Sequence, residues 1–209
     1  MILPFMSINL LSLQTYSEPS QIFGATHKEF SMSRISTVQP AKATGAAAEL
    51  FAKIKKAAGR VPNAYATVGT HSPAALAHIL GTDQLLGAGS LSKSDIEAIK
   101  LAVSEINGCD YCVAAHTLMG KLSGLPADAM KQIRAGDASG DAKRDALVRF
   151  VRLLVSSSGT VAAGELEAVR AAGYSEQQVI EALLAVSAIT FTNLVNRVND
   201  TVVDFPAVV

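Results

Sequence analysis

Apolar residues recur at intervals of three and four along most of the chain, and no segment alternates between apolar and polar residues for more than a few positions. The first pattern is typical of amphipathic helices, whereas strict alternation would indicate half-buried strands. Glycine, proline and helix-capping residues separate the periodic segments. The sequence therefore predicts an all-α fold.

Eight helices are predicted, and several have start or stop signals of their own. Ser72 followed by Pro73 is an N-cap with proline at the first helical position, and Ser175 with Gln178 has the pattern of a capping box. The segment 61–63, Val-Pro-Asn, is interpreted as the start of a connector. The predicted helices cover approximately residues 41–58, 73–86, 96–106, 109–122, 126–135, 141–156, 160–172 and 175–197.

The composition narrows the class of protein. Hydrophobic residues make up 49% and charged residues 17% of the 209 residues, which is enough for one sizeable core or two helical halves in contact. Aromatic residues are 5%, so the core is expected to pack through Ala, Leu and Val. The 18 basic residues balance the 18 acidic ones, and we therefore expect neither a nucleic acid nor an anionic membrane as a partner.

The start of the chain differs from the rest. Residues 1–36 are rich in Ser, Thr, Gln and Pro and lack helical periodicity, so they are interpreted as a flexible tail or an over-long gene start. A membrane-touching or targeting arm is the alternative. The apolar stretch 1–13 is interrupted by Pro4, Ser7 and Asn9 and is shorter than a membrane span. The domain is expected to cover residues 37–209.

The chain has two cysteines, Cys109 and Cys112, which are three positions apart. A disulfide that closes so short a loop would add little stability to a fold of this size. The pair is therefore interpreted as a redox or metal site rather than a structural disulfide. A dithiol that cycles between reduced and oxidised forms fits a cytoplasmic protein.

The residues around the cysteines predict a helical hairpin. Asn107-Gly108 favours a tight reversal, after which Cys109 begins a helix. Offsets of three, four and seven place Cys109, Cys112 and His116 on one helical face. The free N–H groups of a helix start lower the pKa of a thiol, and His116 can take the proton from Cys112. The helix start favours Cys109 as the more accessible thiol, whereas proximity to His116 favours Cys112 as the first to ionise.

The preceding helix supplies a carboxylate. Glu97 and His116 are nearly equidistant from the reversal, at roughly 14 Å for a rise of about 1.5 Å per residue. An antiparallel hairpin therefore brings them together, and Glu97 can orient His116 and stabilise its protonated form. Two further residues are candidates for lining the site. Tyr111 can donate a hydrogen bond or pack, and Glu105 can act on the thiols or lie exposed near a helix end.

These residues carry a resemblance to a known family. The sequence resembles the AhpD-like alkylhydroperoxidases of the carboxymuconolactone decarboxylase superfamily, and within them the peroxidase-related subgroup. The resemblance covers roughly residues 33–209. It is carried by Glu97, by the segment 102–116, Ala-Val-Ser-Glu-Ile-Asn-Gly-Cys-Asp-Tyr-Cys-Val-Ala-Ala-His, by the segment 61–63, by Ser72-Pro73 and by Asn193, Asn196 and Asp200.

The resemblance implies an AhpD-like helical bundle built around a hairpin that carries the CxxC motif, assembled as trimers or hexamers. It implies peroxide reduction without a cofactor or metal. One of Cys109 and Cys112 becomes a sulfenic acid, the other resolves it to a disulfide, and an external thiol or dithiol resets the pair. Glu97 and His116 relay the proton. Characterised peroxidases of the group have a histidine where this chain has Tyr111, which cannot act as a base at neutral pH.

Two other functions stay open at this point. Cys109, Cys112 and His116 can supply three ligands of a metal-binding or stress-sensing protein, with Glu97 or a water as the fourth. The domain can also be a structural or assembly module with a vestigial site, in which case its thiols should have a pKa near the ordinary value of about 8.5. The decarboxylase branch of the superfamily does not depend on a CxxC motif, so lactone decarboxylation is not expected.

Overall fold

The computed structural model describes residues 33–208, and within that range the chain forms α-helices and no β-strands. A single 3-10 turn, Pro40–Lys42, precedes the first helix. The all-α prediction is confirmed. The helices are α1 Gly45–Ala58, α2 Asn63–His71, α3 Pro73–Ala88, α4 Lys93–Ile106, α5 Asp110–Leu122, α6 Ala127–Ala135, α7 Ala142–Ser156, α8 Ala163–Ala171 and α9 Glu176–Asn199.

Side-chain caps fix the starts of several helices, as the sequence predicts. The Ser72 hydroxyl accepts a hydrogen bond from the backbone N–H of Ala75, with Pro73 at the first helical position of α3. Ser175 and Gln178 form a reciprocal capping box at the start of α9. These bonds satisfy backbone groups that a helix start would otherwise leave open.

The interpretation of segment 61–63 as the start of a connector is wrong, because α2 begins at Asn63. The helix was missed because small residues dominate it, and its buried positions include Ala64, Ala66 and Gly69 rather than an apolar stripe. Packing holds it in place instead. A Cβ at Gly69 would clash with the ring of Phe51 in α1, so only glycine lets these helices approach so closely. Three predicted starts also shift, since α1 begins at residue 45, α4 at residue 93 and α8 at residue 163.

Helix α4 lies at the centre of the domain and packs against α5, α6, α7 and α9. A helix with neighbours on several sides is apolar around most of its circumference. Its small residues allow close approach, and its large ones fill the space between helices. Six residues of α4 have no exposed surface: Ala98, Ile99, Leu101, Ala102, Val103 and Ser104.

Both ends of the described chain are held by the domain. Arg34 and Ile35 donate backbone hydrogen bonds of 2.8 and 2.7 Å to Asn199 at the end of α9. Residues 34 and 35 of the predicted extension therefore contact the domain, while residues 1–32 lie outside the described residues. At the other end, Val202 accepts a bond from the Asn63 side chain, and Asp204 accepts one from the Asn63 backbone. Residues after α9 thus pack against the start of α2.

Helix α9 combines a polar buried face with an apolar exposed one. Its most apolar window has a mean hydropathy of 1.6, so by length and composition it is the one helix of the described chain that can cross a membrane. Its buried face nevertheless contains Asn193, Asn196 and Asn199, which hydrogen-bond to other parts of the domain. We therefore treat α9 as a helix of the domain with one uncovered apolar face.

Candidate active site

The α4–α5 hairpin positions the two cysteines. Asn107 ends α4, and Gly108 reverses the chain with a φ of +62°, a conformation that favours glycine. The Cys109 backbone N–H then donates to the Ser104 carbonyl at 2.9 Å, and Arg197 of α9 donates to the Asn107 carbonyl at 2.5 Å. The reversal predicted at Asn107-Gly108 is present and is tied to α9.

Cys109 is the N-cap of α5. Its sulfur accepts the backbone N–H of Cys112 at 3.4 Å, in the position that a serine or threonine oxygen usually occupies. The hydrogen bond from the Cys112 side chain lowers the pKa of the Cys109 thiol, and this bond, with the backbone N–H, outweighs the effect of burial. Cys109 is therefore the thiol that ionises first.

Cys112 lies one turn further along α5 and lines a cavity, whereas Cys109 is not among the described residues that line it. The hydrogen bond to Cys109, burial and the charge of the neighbouring thiolate raise the pKa of Cys112. The Asn196 amide Nδ2 donates to its sulfur at 3.2 Å. The two sequence-based expectations are thus reversed, because the thiol facing the cavity is Cys112 and the thiol with the lowered pKa is Cys109.

Glu97 of α4 and His116 of α5 meet as the hairpin geometry predicts. The Glu97 Oε2 atom lies 2.7 Å from His116 Nδ1, and the two side chains are 13% and 15% exposed. Burial acts to raise the pKa of Glu97, but the charge and hydrogen bond of His116, together with Lys100, hold it below its usual value. This contact orients the imidazole and leaves Nε2 as the free ring nitrogen.

The direct proton transfer expected from Cys112 to His116 has no hydrogen bond to carry it. Among the residues that the structure describes, the His116 ring bonds to Glu97 and to neither sulfur. Both Cys112 and His116 line the same cavity, however. A molecule bound in that cavity can therefore lie beside both groups.

The cavity has a volume of about 600 Å³, within the range of small-molecule sites. Its wall is largely apolar with a few polar side chains, which favours a ligand with a reactive polar group on a hydrocarbon body. The apolar side chains that line it include Leu86, Ile96, Tyr65, Met119, Leu122 and Phe205.

Lys100, Asp83 and Tyr65 are polar residues of the cavity wall that the sequence did not identify. The Lys100 ammonium lies 2.7 Å from Asp83 Oδ1, and the Tyr65 hydroxyl donates to Asp83 Oδ2 at 3.4 Å. Burial, followed by the Asp83 charge, raises the pKa of Tyr65. Lys100 could have been identified from the sequence, because it is a charged residue one turn after Glu97 on a largely apolar helix. Asp83 and Tyr65 could not, because they reach the site only through the packing of α2 and α3.

Tyr111, between the cysteines, joins the motif to the end of the chain. Its hydroxyl donates to Asp204 Oδ1 at 2.8 Å and accepts the Ala64 backbone N–H at 3.2 Å. Its ring meets that of Phe205 edge-on, with centroids 5.4 Å apart. Burial is the main cause that raises its pKa, so Tyr111 lines the cavity as a neutral hydrogen-bonding residue.

Glu105 and the metal-binding alternative do not fit the observed geometry. Glu105 pairs with Arg134 at 2.7 Å and is not among the described residues that line the cavity.

Within residues 33–208, no group of three or more His, Cys, Asp or Glu side chains is placed to hold a metal ion. Cys109, Cys112 and His116 therefore do not form the three-ligand site that the sequence left open.

Comparison with known proteins connects this geometry to a family. Residues 73–152, which contain Glu97, both cysteines and His116, match the carboxymuconolactone decarboxylase family. An alkyl hydroperoxide reductase of Mycobacterium tuberculosis is 31% identical over 107 residues, a stretch that is 51% of this chain. The chain spans only 31% of that relative's length.

Solved structures share the fold. A peroxidase-related protein from Ralstonia eutropha, described as an alkylhydroperoxidase AhpD core, superposes with a TM-score of 0.75 at 21% identity, covering 83% of this chain and 93% of its own. A peroxidase-related protein from a Silicibacter species gives 0.69 at 19% identity, covering 82% and 93%. The debrominase Bmp8 gives 0.69 at 17% identity, covering 82% and 92%. The predicted AhpD-like helical fold is confirmed.

Proposed function

We propose, from the membership of this chain in the AhpD-like carboxymuconolactone decarboxylase superfamily, that it is a thiol-dependent peroxidase. The observation that carries the proposal is that Cys112 and the Glu97–His116 pair line the same cavity. Cys109 is hydrogen-bonded to Cys112 and completes a dithiol. A nucleophile, a resolving thiol and a proton donor are the groups that peroxide reduction requires.

The first step joins sulfur to oxygen. The Cys112 proton passes to the Cys109 thiolate, to which it is hydrogen-bonded, and the Cys112 sulfur attacks the terminal oxygen of a hydroperoxide, ROOH. The S–O bond forms as the O–O bond breaks. Cys112 becomes a sulfenic acid and gives up two electrons, and the alkoxide leaves as ROH after protonation by His116 Nε2. Placing the nucleophile at Cys112 follows from its position on the cavity wall.

The second step closes the cycle. The Cys109 sulfur attacks the Cys112 sulfur, the disulfide forms, and the hydroxyl group leaves with the Cys109 proton as water. An external thiol or dithiol then returns the pair to the reduced state by thiol–disulfide exchange. Across both steps one hydroperoxide and two thiols give one alcohol, one water and one disulfide.

The cavity supports an organic hydroperoxide as the substrate rather than hydrogen peroxide. A cavity of about 600 Å³ is much larger than a molecule of hydrogen peroxide. Burial of a hydrocarbon group against Leu86, Ile96 and Phe205 is favourable by about 25 cal/mol for each Å² of apolar surface. We place this reaction in a reducing cytoplasm, where thiol reductants are available.

The proposal is tested by mass spectrometry of the peptide that contains both cysteines, before and after a sub-stoichiometric addition of cumene hydroperoxide. The wild-type peptide should lose two hydrogens as the disulfide forms. Cys109→Ser should stop at a sulfenic acid on Cys112 that dimedone traps, and Cys112→Ser should not react. Turnover at the wild-type rate in both single variants would rule the cycle out, whereas a wild-type peptide that stays reduced would favour the vestigial alternative.

A further inference from the structure

Three asparagines are buried along α9 at intervals of three residues: Asn193, Asn196 and Asn199, each 4% exposed or less. Two of them bond within the fold. Asn199 accepts the Ile35 backbone N–H and donates to Thr201. Asn193 accepts the Ser104 hydroxyl at 3.2 Å. A buried amide is costly unless it is hydrogen-bonded, so these contacts account for two of the three residues.

Asn196 is different, because it bonds to a reactive atom. Its Nδ2 atom donates to the Cys112 sulfur at 3.2 Å, across 84 positions of the sequence. Cys109 and burial raise the pKa of Cys112, and this donor opposes them. A hydrogen bond to a thiolate is stronger than one to a thiol, so the Asn196 amide favours the charged, nucleophilic form of the sulfur.

The other half of the same amide has no partner. Asn196 Oδ1 is buried and accepts no hydrogen bond from any residue that the structure describes, and Asn196 lines the cavity. Asn193 also has an unpartnered atom, Nδ2, but Asn193 is not among the described residues that line the cavity. A buried carbonyl oxygen without a partner, on a residue that lines the cavity beside the Cys112 sulfur, can be satisfied by a bound molecule that donates an O–H or N–H group.

We propose that Asn196 is a catalytic residue that holds both reactants, with its amide N–H on the Cys112 sulfur and its carbonyl oxygen accepting the O–H of the hydroperoxide. This inference rests on the proposed function. The terminal oxygen of ROOH is the atom that carries the hydrogen, so a bond from that O–H to Oδ1 places the oxygen beside the sulfur that attacks it. The R–O oxygen then points into the cavity towards His116, which protonates it as it leaves.

The test separates the two halves of the amide by using two oxidants. All variants carry Cys109→Ser, so that the Cys112 product accumulates, and serine can still cap α5. Methyl methanethiosulfonate reacts with thiolates and has no hydrogen-bond donor, so its rate reports the sulfur alone. Cumene hydroperoxide has the O–H group, so its rate reports both halves. Second-order rate constants are measured for each at pH 7 in full-length protein.

Asn196→Leu removes both groups, and we expect about tenfold slower reaction with the thiosulfonate and about a hundredfold slower reaction with the hydroperoxide. Asn196→Asp removes the donor but keeps a carboxylate oxygen as acceptor. It should slow both oxidants while the ratio of the two rate constants stays close to the wild-type ratio. Asn193→Leu, one turn earlier on α9, is the matched control and should change neither rate constant.

Unchanged thiosulfonate rates in both Asn196 variants would overturn the role of the amide N–H. Equal slowing of the two oxidants by Asn196→Leu would overturn the role of the carbonyl oxygen. Thermal melting followed by circular dichroism shows whether each variant is folded. If Asn196→Leu is not folded, the rate constants of Asn196→Asp, which is nearly isosteric with the wild type, test the role of the amide N–H. If the protein with Asn196 intact reacts with the thiosulfonate and with no hydroperoxide, the proposed function fails separately from the effect of Asn196 on the sulfur.

Discussion

Glu97 and His116 are 19 positions apart and come from different helices, yet a hydrogen bond of 2.7 Å joins them. Both side chains are largely buried, and a carboxylate buried without a partner would be unstable in its charged form. The pair is therefore fixed in orientation before any ligand binds. A preorganised donor loses no free energy to reorientation when charge develops on the leaving oxygen.

Glu97→Gln tests this pair. We expect the reduction of cumene hydroperoxide to fall at least about tenfold, because glutamine can contact the imidazole but gives it no charged partner. Glu105→Gln is the matched control on the same helix, since Glu105 pairs with Arg134 outside the cavity wall. Steady-state assays of the two variants compare them directly. Equal losses in both would show that the effect is structural.

The same pair has a pH-dependent effect on stability. The pKa of Glu97 in the folded protein lies below its ordinary value of 4.5, so its contribution is present above that value and is lost as the pH falls through the lowered one. Denaturant titrations at pH 7 and in acid should therefore show the gap between wild type and Glu97→Gln closing only below the ordinary glutamate range.

The contact between Glu97 and His116 is predictable from the sequence, whereas the contact between Asn196 and Cys112 is not. Glu97 and His116 could be paired because both lie on one hairpin, where the regular helical rise converts sequence distance into position. The role of Asn196 could not be found in this way. Its contact with Cys112 depends on how α9 packs against the hairpin, and no local pattern encodes a contact between residues 84 positions apart.

The α4–α5 hairpin is the element on which the site depends, and its turn is the most constrained point. Gly108 has a φ of +62°, and a Cβ added there would lie 4.0 Å from the Arg197 guanidinium carbon. Strain at this position therefore comes from the backbone conformation rather than from a clash. The turn was predictable because Asn-Gly is a strong local signal, whereas α2 was not, because its packing and not its pattern makes it a helix.

Gly108→Ala should lower the free energy of unfolding by about 1–2 kcal/mol, the cost of a left-handed conformation for a residue with a Cβ. Gly81→Ala is a control that should change the free energy of unfolding in the opposite direction. Gly81 lies inside α3, and a Cβ there meets nothing within 4 Å, so alanine should stabilise the protein by roughly 0.5–1 kcal/mol. Urea titration measures both. A neutral Gly108→Ala would contradict the assigned strain.

On the scale of the whole molecule, α9 presents an apolar stripe to solvent, formed by Ile180, Leu184, Phe191, Leu194 and Val198 and interrupted at Ser187. Ile180, Leu194 and Val198 are 65%, 59% and 62% exposed. Leu194 lies three residues after Phe191 and four before Val198, the spacing that lets two helices interlock, and single chains rarely leave so many apolar side chains uncovered. The stripe supports the homo-oligomer, a trimer or hexamer, that the family resemblance implies.

Leu194→Glu tests this assembly, because it places a charge in the middle of the stripe. Light scattering after size-exclusion chromatography should give a multiple of 21.8 kDa for the wild type and 21.8 kDa for the variant. Leu153→Glu, at an exposed position of α7 outside the stripe, should leave the mass of the assembly unchanged. A monomeric wild-type protein would remove the proposed oligomer.

The depth of the two sulfurs has a kinetic consequence. Cys109 and Cys112 are 2% and 3% exposed, and of the two only Cys112 borders the cavity. In the proposed cycle the oxidant and the reductant therefore approach the same atom by the same opening and must take turns there. Each at high concentration should hinder the other, a pattern of mutual competitive inhibition, and slender dithiols should regenerate the protein faster than bulky ones.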